Sequence, residues 1–231
     1  MPTPRSVAAV IPAKDEADRI ADTVRAVTAL PGVELVIVVD DGSSDATGDL
    51  ARAAGARVER HTGNQGKAAA MTTGAAAVAA TPGGGDFALL FVDADLGASA
   101  AGLAPLLAPV LAGEADMTIA NIPRANSSKG GGRVVRLAQR TVEARTGRRI
   151  AQPLNGMRCL TRQAYDAALP LASGWGVEVG LLLDVLTAGY RVVEVPVEFT
   201  HRASGRDWRG VVHRGRQMRD VARVVAGGRG R

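Results

Sequence analysis

Apolar residues fall in short runs, and their periodicity alternates between that of a strand and that of a helix along the first half of the chain. Residues 7–11 form an unbroken apolar run, which predicts a buried strand. Over residues 15–30, Ile20, Val24 and Val27 share one face of a predicted helix. A second strand is predicted over 34–39, a helix over 45–54, a short strand near Val58 and an alanine-rich helix over 66–80. The run 87–92 follows the turn residues Pro82-Gly83-Gly84-Gly85 and predicts another buried strand. A helix over 99–112 and a strand over 117–120 come next. This alternation predicts an α/β fold, a mostly parallel sheet flanked by helices. Ligands of such sheets bind beyond the carboxyl ends of the strands, which here follow Ile11, Val39 and Val92.

The second half is less regular. Residues 126–132 have the composition of a flexible loop, 133–146 form a basic helix and 177–188 are strongly apolar. Residues 192–199 alternate as a strand, and 209–225 form a basic amphipathic helix. With no repeat and no linker, one domain over residues 1–231 is expected.

A length of 231 residues, 46% hydrophobic content and a mean hydropathy of +0.06 allow a real core and exclude general disorder. Charge or turn residues interrupt every apolar segment, so no membrane span is expected. The first five residues lead straight into a strand, so no secretory signal is expected either. Cys159 is the one cysteine, which rules out an internal disulfide and a cysteine-based zinc site. A cytoplasmic location follows as the plain expectation.

The net charge of +5 hides an asymmetry. Residues 1–120 hold 8 Lys and Arg against 15 Asp and Glu, whereas residues 121–231 hold 20 against 8. Metal binding on one side and anion binding on the other would use such a division. A bias toward arginine is the bland alternative, because Lys14, Lys67 and Lys129 are the only lysines. It explains the choice of residue but not the segregation. Nucleic-acid binding would also use a basic half, but three Phe, two Tyr and two Trp leave little stacking surface.

Chemistry gathers at the strand ends. Asp93-Ala94-Asp95 puts two carboxylates one residue apart, and a hard divalent cation is the usual remedy for their repulsion. The bland alternative is a strand-end Asp capping the next helix. Asp40-Asp41-Gly42-Ser43-Ser44-Asp45 offers carboxylates beyond what a turn and a cap require. Gly63-Asn64-Gln65-Gly66-Lys67 places a lysine at a helix start, where a phosphate is favoured. This is no P-loop, because His61 and Ala68 stand where Gly and Ser or Thr are required. No G-x-G-x-x-G follows the first strand, and Gly97 argues against a D-x-D-x-T phosphatase.

Together these segments resemble the family 2 glycosyltransferases, whose nucleotide-sugar-binding architecture is called GT-A. The resemblance rests on Val10-Ile11-Pro12, residues 39–45, Asn64-Gln65-Gly66-Lys67 and Asp93-Ala94-Asp95-Leu96. It continues through Pro153-Leu154-Asn155-Gly156, Gly176-Val177-Glu178, Glu194-Val195-Pro196-Val197 and His201-Arg202. It implies a nucleotide-sugar and metal half over 1–121 and an acceptor half over 122–231. By the same resemblance Asp41 contacts the base or ribose, Pro12 and Glu16 line that pocket, and Lys67 lies near the nucleoside and its phosphates. Asp95 is the main ligand of Mg²⁺ or Mn²⁺, Asp93 faces the ribose or the metal's waters, His201 completes the metal shell and Arg202 meets the pyrophosphate. Glu178 is the position of a general base, with a helix N-terminal carboxylate as its bland alternative.

The departures at Ala68 and Gly97-Ala98-Ser99 loosen any inference about the sugar. Arg124, Lys129, Arg133, Arg136 and Arg140 suit a phosphate-bearing acceptor, with Asn155 and Gly156 beside them. Polyprenyl phosphate is the main expectation, as in the dolichyl-phosphate mannose synthase-like enzymes. The helix over 209–225 would then meet the inner face of the membrane peripherally. A small phosphorylated acid is the alternative, because 152–156 and 177–186 are similar to the glucosyl-3-phosphoglycerate synthases. A non-catalytic sugar-nucleotide binder is the remote alternative, no nucleic-acid partner is expected, and a homodimer is left open.

Overall fold

A computed structural model describes residues 4, 6–122 and 132–198, without the side chains of Arg133 and Trp175. The loop expected over 126–132 lies almost wholly outside the described residues, as do the last residue of the 192–199 strand and the helix expected over 209–225.

Seven strands form one sheet: β1 (Ser6–Ala13), β2 (Val33–Asp40), β3 (Arg57–Arg60), β4 (Phe87–Phe91), β5 (Met117–Asn121), β6 (Arg158–Leu160) and β7 (Val192–Pro196). Their order is β3-β2-β1-β4-β6-β5-β7. All neighbours run parallel except β6, which is antiparallel to both β4 and β5. This strand is absent from the sequence-based expectation, because three residues beginning with an arginine carry no strand period. One sheet therefore runs through both halves of the chain.

Both faces of β1 are covered. Val7, Ala9 and Ile11 point into one apolar layer, and Ala8 and Val10 into the other. That is why the run shows no polar alternation. Helix α1 (Ile20–Thr28) presents Ile20, Val24 and Val27, as expected, and adds Thr23 to its buried face. It starts five residues later than expected, because residues 15–17 give their backbone N–H groups to side chains that follow β2. Helices α2 (Thr47–Ala53) and α3 (Lys67–Ala79) follow β2 and β3 close to their expected bounds.

The stretch after β4 departs from the expected 99–112 helix. It is a 3₁₀ segment over Ala94–Leu106, bent at Gly97 (φ 57°, ψ −145°), followed by the single turn α4 (Ala108–Leu111). Pro105 and Pro109 lack the N–H that a continuous α-helix needs. Contrary to expectation, Ala94–Leu111 is as long and apolar as a membrane span. Here Leu96, Ala100, Leu103, Leu106, Leu107 and Val110 are instead buried in the layer shared with α1. Helices α5 (Gly132–Thr146), α6 (Arg162–Ala167) and α7 (Val177–Thr187) complete the described fold. Thr161 caps α6, and α5 packs against α7, which is buried nearly all round.

Helix α3 lies close on β1 and β2 because its inner face is made of small residues. A β-carbon on Gly74 would stand 2.3 Å from Val10 Cγ1 and 3.1 Å from Val39 Cγ2. Gly74→Ala gains about 1 kcal/mol of helix propensity but forces an overpacked contact costing roughly 1–3 kcal/mol. Chemical denaturation should therefore show a net loss of stability, not the gain that an exposed helical Gly→Ala change brings.

Candidate active site

The carboxyl ends of β1, β2 and β4 lie in register along one edge, with Ala13 beside Asp40 and Val10 beside Phe91. The loops leaving β1 and β2 are laced together. Asp15, at a positive φ of 54°, accepts from Ser44 N at 2.8 Å and Ser44 Oγ at 3.0 Å. Asp15 N donates to Ser43 Oγ, Glu16 N to Thr47 Oγ1 and Ala17 N to Asp45 Oδ2, while Lys14 Nζ donates to Gly42 O. Gly42 permits the crossing, since a β-carbon there would lie 2.7 Å from the Gly63 backbone. Asp40 is wholly buried, accepts from Ser43 N at 2.8 Å and lies 3.3 Å from Arg60 Nε.

Asp41, the expected base or ribose contact, is also buried. Its Oδ1 accepts from Gln65 N at 2.8 Å and meets His61 Nδ1 at 2.7 Å, and its Oδ2 accepts from Gly66 N at 2.8 Å. His61 Nε2 continues to Thr73 Oγ1 at 2.9 Å. Burial would raise the Asp41 pKa, but the Gln65, His61 and Gly66 hydrogen bonds outweigh it and hold the carboxyl below its ordinary value. Asp41 therefore pins the 63–66 loop to the β2 end. Asp41 N bonds to Ala13 O, next in the chain to the half-buried Pro12, and the half-buried Glu16 is held on the same edge by Thr47.

The second cluster joins α3, β4 and α7. Lys67 Nζ lies 2.8 Å from Asp93 Oδ1 and 2.9 Å from Glu178 Oε1. Burial alone would lower the lysine's pKa, but the charges of Asp93 and Glu178 outweigh it and raise it further above the lysine range. The turn beyond Asp93 is fixed by Thr23, whose Oγ1 donates to Ala94 O at 2.8 Å and accepts from Gly97 N at 2.7 Å. Among the described residues the half-buried Asp95 carboxylate makes no hydrogen bond or ion pair, and only its backbone O meets Arg19 Nη1, at 3.4 Å.

The third wall is the 151–157 loop. Glu194 accepts from Ala151 N and Gln152 N, both at 2.8 Å, and Asn155 Nδ2 donates to Ala120 O at 2.9 Å. Asn155 Oδ1 accepts from Met157 N, so its amide is committed to shaping the loop. The loop sets Gly156 against the ion cluster, where a β-carbon would stand 2.7 Å from Lys67 Nζ and 2.9 Å from Asp93 Oδ1. Arg158 lies beneath, buried, and donates to backbone carbonyls of Pro153, Asn155 and Glu178.

The structure thus brings together Pro12, Glu16 and Asp41 in one group, and Lys67, Asp93, Glu178 and Gly156 in another, with Asp95 two residues beyond Asp93. Arg124, Lys129, His201 and Arg202 lie outside the described residues, and Arg133 is placed only as backbone in the first turn of α5. Sequence reasoning missed Thr23, His61, Glu194 and Arg158. A polar residue inside an apolar segment was the available signal for Thr23, Glu194 and Arg158; His61 carried none. A cavity of about 420 Å³ lined by Asp116, Thr161, Gln163, Tyr190 and Arg191 lies at the opposite end of the strands and shares no residue with these clusters.

Comparison with known proteins places this geometry in a family. The model of glycosyl transferase family 2 matches residues 8–168, and the chain belongs to that family. It is 32% identical over 203 residues to the glucosyl-3-phosphoglycerate synthase of Mycolicibacterium paratuberculosis, which covers 78% of this chain and 60% of that protein. The chain thus spans about 60% of the length of that curated relative. Among solved structures, the Mycobacterium tuberculosis glucosyl-3-phosphoglycerate synthase with Mn²⁺, UDP and phosphoglyceric acid superposes with a TM-score of 0.77 at 28% identity, covering 98% of this chain and 79% of that one. The same enzyme with Mg²⁺ and UDP gives 0.78 at 27% identity, with 98% and 80% covered. The mixed seven-stranded sheet is therefore the GT-A fold.

The Asp41 linkage has a definite sign. Its folded pKa lies below the ordinary 3.8, so the stability it contributes is full above that value and is lost as pH falls through the folded pKa. Asp41→Asn should cost about 1–3 kcal/mol at neutral pH, as expected for buried donors left poorly satisfied. In denaturant titrations the gap between variant and wild type should narrow below about pH 4.

Proposed function

We propose that this chain transfers a sugar from a uridine diphosphate sugar to a small phosphorylated hydroxy acid of the phosphoglycerate type, using Mg²⁺ or Mn²⁺. The observation that carries the reading is the Asp95 carboxylate, which has no partner among the described residues and lies two residues beyond the Lys67–Asp93–Glu178 cluster. A carboxylate kept unpaired at the carboxyl edge of a mostly parallel sheet suits a hard cation with oxygen ligands. Asp95, with Asp93 in support, would hold it. Among the described residues no group of three His, Cys, Asp or Glu side chains completes a metal shell. In this reading His201 and the substrate's phosphates complete it. The bound cation would neutralise charge growing on the leaving diphosphate.

The chain's own groups do the rest. The laced β1–β2 edge, with Pro12, Glu16 and Asp41, forms the shelf for the nucleoside. Lys67, cationic at neutral pH, lies where a diphosphate would draw it from Asp93. Glu178, its side chain 10% exposed and held on Lys67, would take the proton from an acceptor hydroxyl. Arg133, with Arg124 and Lys129, would bind the acceptor's phosphate.

The similarity to glucosyl-3-phosphoglycerate synthases supports this acceptor class over the polyprenyl phosphate first expected. No relative reported above is named for a lipid acceptor, and the helix over 209–225 that would touch the membrane lies outside the described residues. In this reading the enzyme works in the cytoplasm without a membrane surface.

Calorimetry with UDP and GDP, with and without Mn²⁺, tests the donor site. UDP should bind at least about tenfold more tightly with the metal, an apparent gain of roughly 1.4 kcal/mol. Asp95→Ala should abolish that gain, leave the melting temperature nearly unchanged and lower turnover by about 10²–10³-fold. In a transfer assay, product should form from UDP-glucose and 3-phosphoglycerate. Product from polyprenyl phosphate alone would overturn the acceptor assignment.

A further inference from the structure

Arg158 heads the fully buried side chains by volume, at 1% exposure, on a strand whose other residues are the apolar Cys159 and Leu160. Its guanidinium donates from Nε to Asn155 O at 2.8 Å, from Nη2 to Pro153 O at 2.7 Å and from Nη1 to Glu178 O at 2.6 Å. No carboxylate is in contact with it among the described residues. A buried charge held only by carbonyl dipoles is costly, and an apolar side chain would fill this core position at lower cost. What the arginine holds is therefore informative.

Its three acceptors belong to two separate walls of the site. Pro153 and Asn155 lead directly to Gly156, which lies against Lys67 Nζ and Asp93 Oδ1. Glu178 opens α7, and its carboxylate holds the same Lys67 Nζ from the other side. Burial pushes the Arg158 pKa down to about 10, with the charges of Glu178 and Asp93 pulling it upward, so the group stays cationic at neutral pH. Arg158 and Lys67 carry two positive charges to the two negative charges of Asp93 and Glu178.

We infer that Arg158 is a positioning residue for sugar transfer: by joining the Gly156 loop to the first turn of α7, it sets where Glu178, the base of the reading above, faces the acceptor hydroxyl. The inference rests on the glycosyltransferase reading above. It assigns Arg158 no contact with either substrate. Loss of the fork should therefore slow the chemical step while leaving donor binding in place.

Arg158→Lys keeps the charge, but one ammonium cannot span the three carbonyls. Its kcat should fall by about 10²-fold, the scale expected from a misplacement of about 1 Å. Its KM for UDP-glucose and its Kd for UDP with Mn²⁺ should stay within about threefold of wild type, because a group acting only on the chemical step leaves binding alone. Gln139→Ala is the control, since it removes the Gln139 Nε2 bond to Ala151 O on the same loop without touching Glu178. That variant should lose stability yet keep kcat within about threefold, as a purely structural change does.

Unchanged kcat in Arg158→Lys would overturn the inference, as would a parallel loss of UDP affinity or an equal loss of kcat in Gln139→Ala. Hydrogen exchange on the unmodified chain decides the matter if the lysine variant does not fold. The amides of Asn155 and Met157 should then open together with those closing the first turn of α7. Independent opening of the loop would sink the proposal. Should the wild type neither bind UDP nor transfer sugar, the functional reading falls while the exchange result still judges the coupling.

Discussion

The Lys67 ammonium stands between Asp93 and Glu178, at 2.8 Å and 2.9 Å, and much of the site depends on that one cation. Asp93 comes from the end of β4 and Glu178 from the first turn of α7, 85 positions later in the chain. Without a positive charge between them, two partly buried carboxylates would repel, and one would take up a proton. Lys67 reaches them from the start of α3, so three elements on the sheet's carboxyl edge meet through it. Gly156 completes the enclosure because it has no side chain to displace the ammonium. Asp95, two residues beyond Asp93, has no partner of its own among the described residues.

The acidic motif after β2 has a different economy. Asp40, Asp41 and Asp45, with Asp15 across the edge, spend their oxygens on backbone N–H groups of the surrounding loops. Such bonds, preceded at Asp45 by the Thr47 hydroxyl and joined at Asp41 by His61, stabilise the ionised form and hold Asp15, Asp41 and Asp45 below the ordinary carboxylate range. Four of the 15 carboxylates in the first half therefore serve to hold the loops of this edge together. Charge in the second half is also partly structural: Arg158 and Arg191 hold backbone carbonyls, and Arg191 pairs with Asp116.

The antiparallel strand β6 links these parts. By pairing with both β4 and β5 it carries the 151–157 loop back to the edge where Asp93 emerges. Arg158 leads that strand and reaches both the loop and α7. A continuation of the parallel pattern would have sent this segment to the opposite end of the sheet. The strand's reversed direction is thus what closes the site around Lys67.

The alternation of elements through β5 was legible because local periodicity records which face of a strand or helix is buried, as the runs of β1 and β4 and the Ile20–Val24–Val27 stripe show. The positions of Asp41, Lys67, Asp93 and Asp95 at strand ends and a helix start were legible for the same reason: each directly follows or precedes a periodic segment. The chain by itself also specified Glu178 and Gly156 through short motifs, though not what they touch. Tertiary structure decided the rest. A three-residue strand carries no period, and an arginine that recognises carbonyl oxygens leaves no complementary side chain in the sequence. An ion pair between residues 67 and 178 forms only once α3 and α7 have been brought to the same edge by the packing of both faces of the sheet.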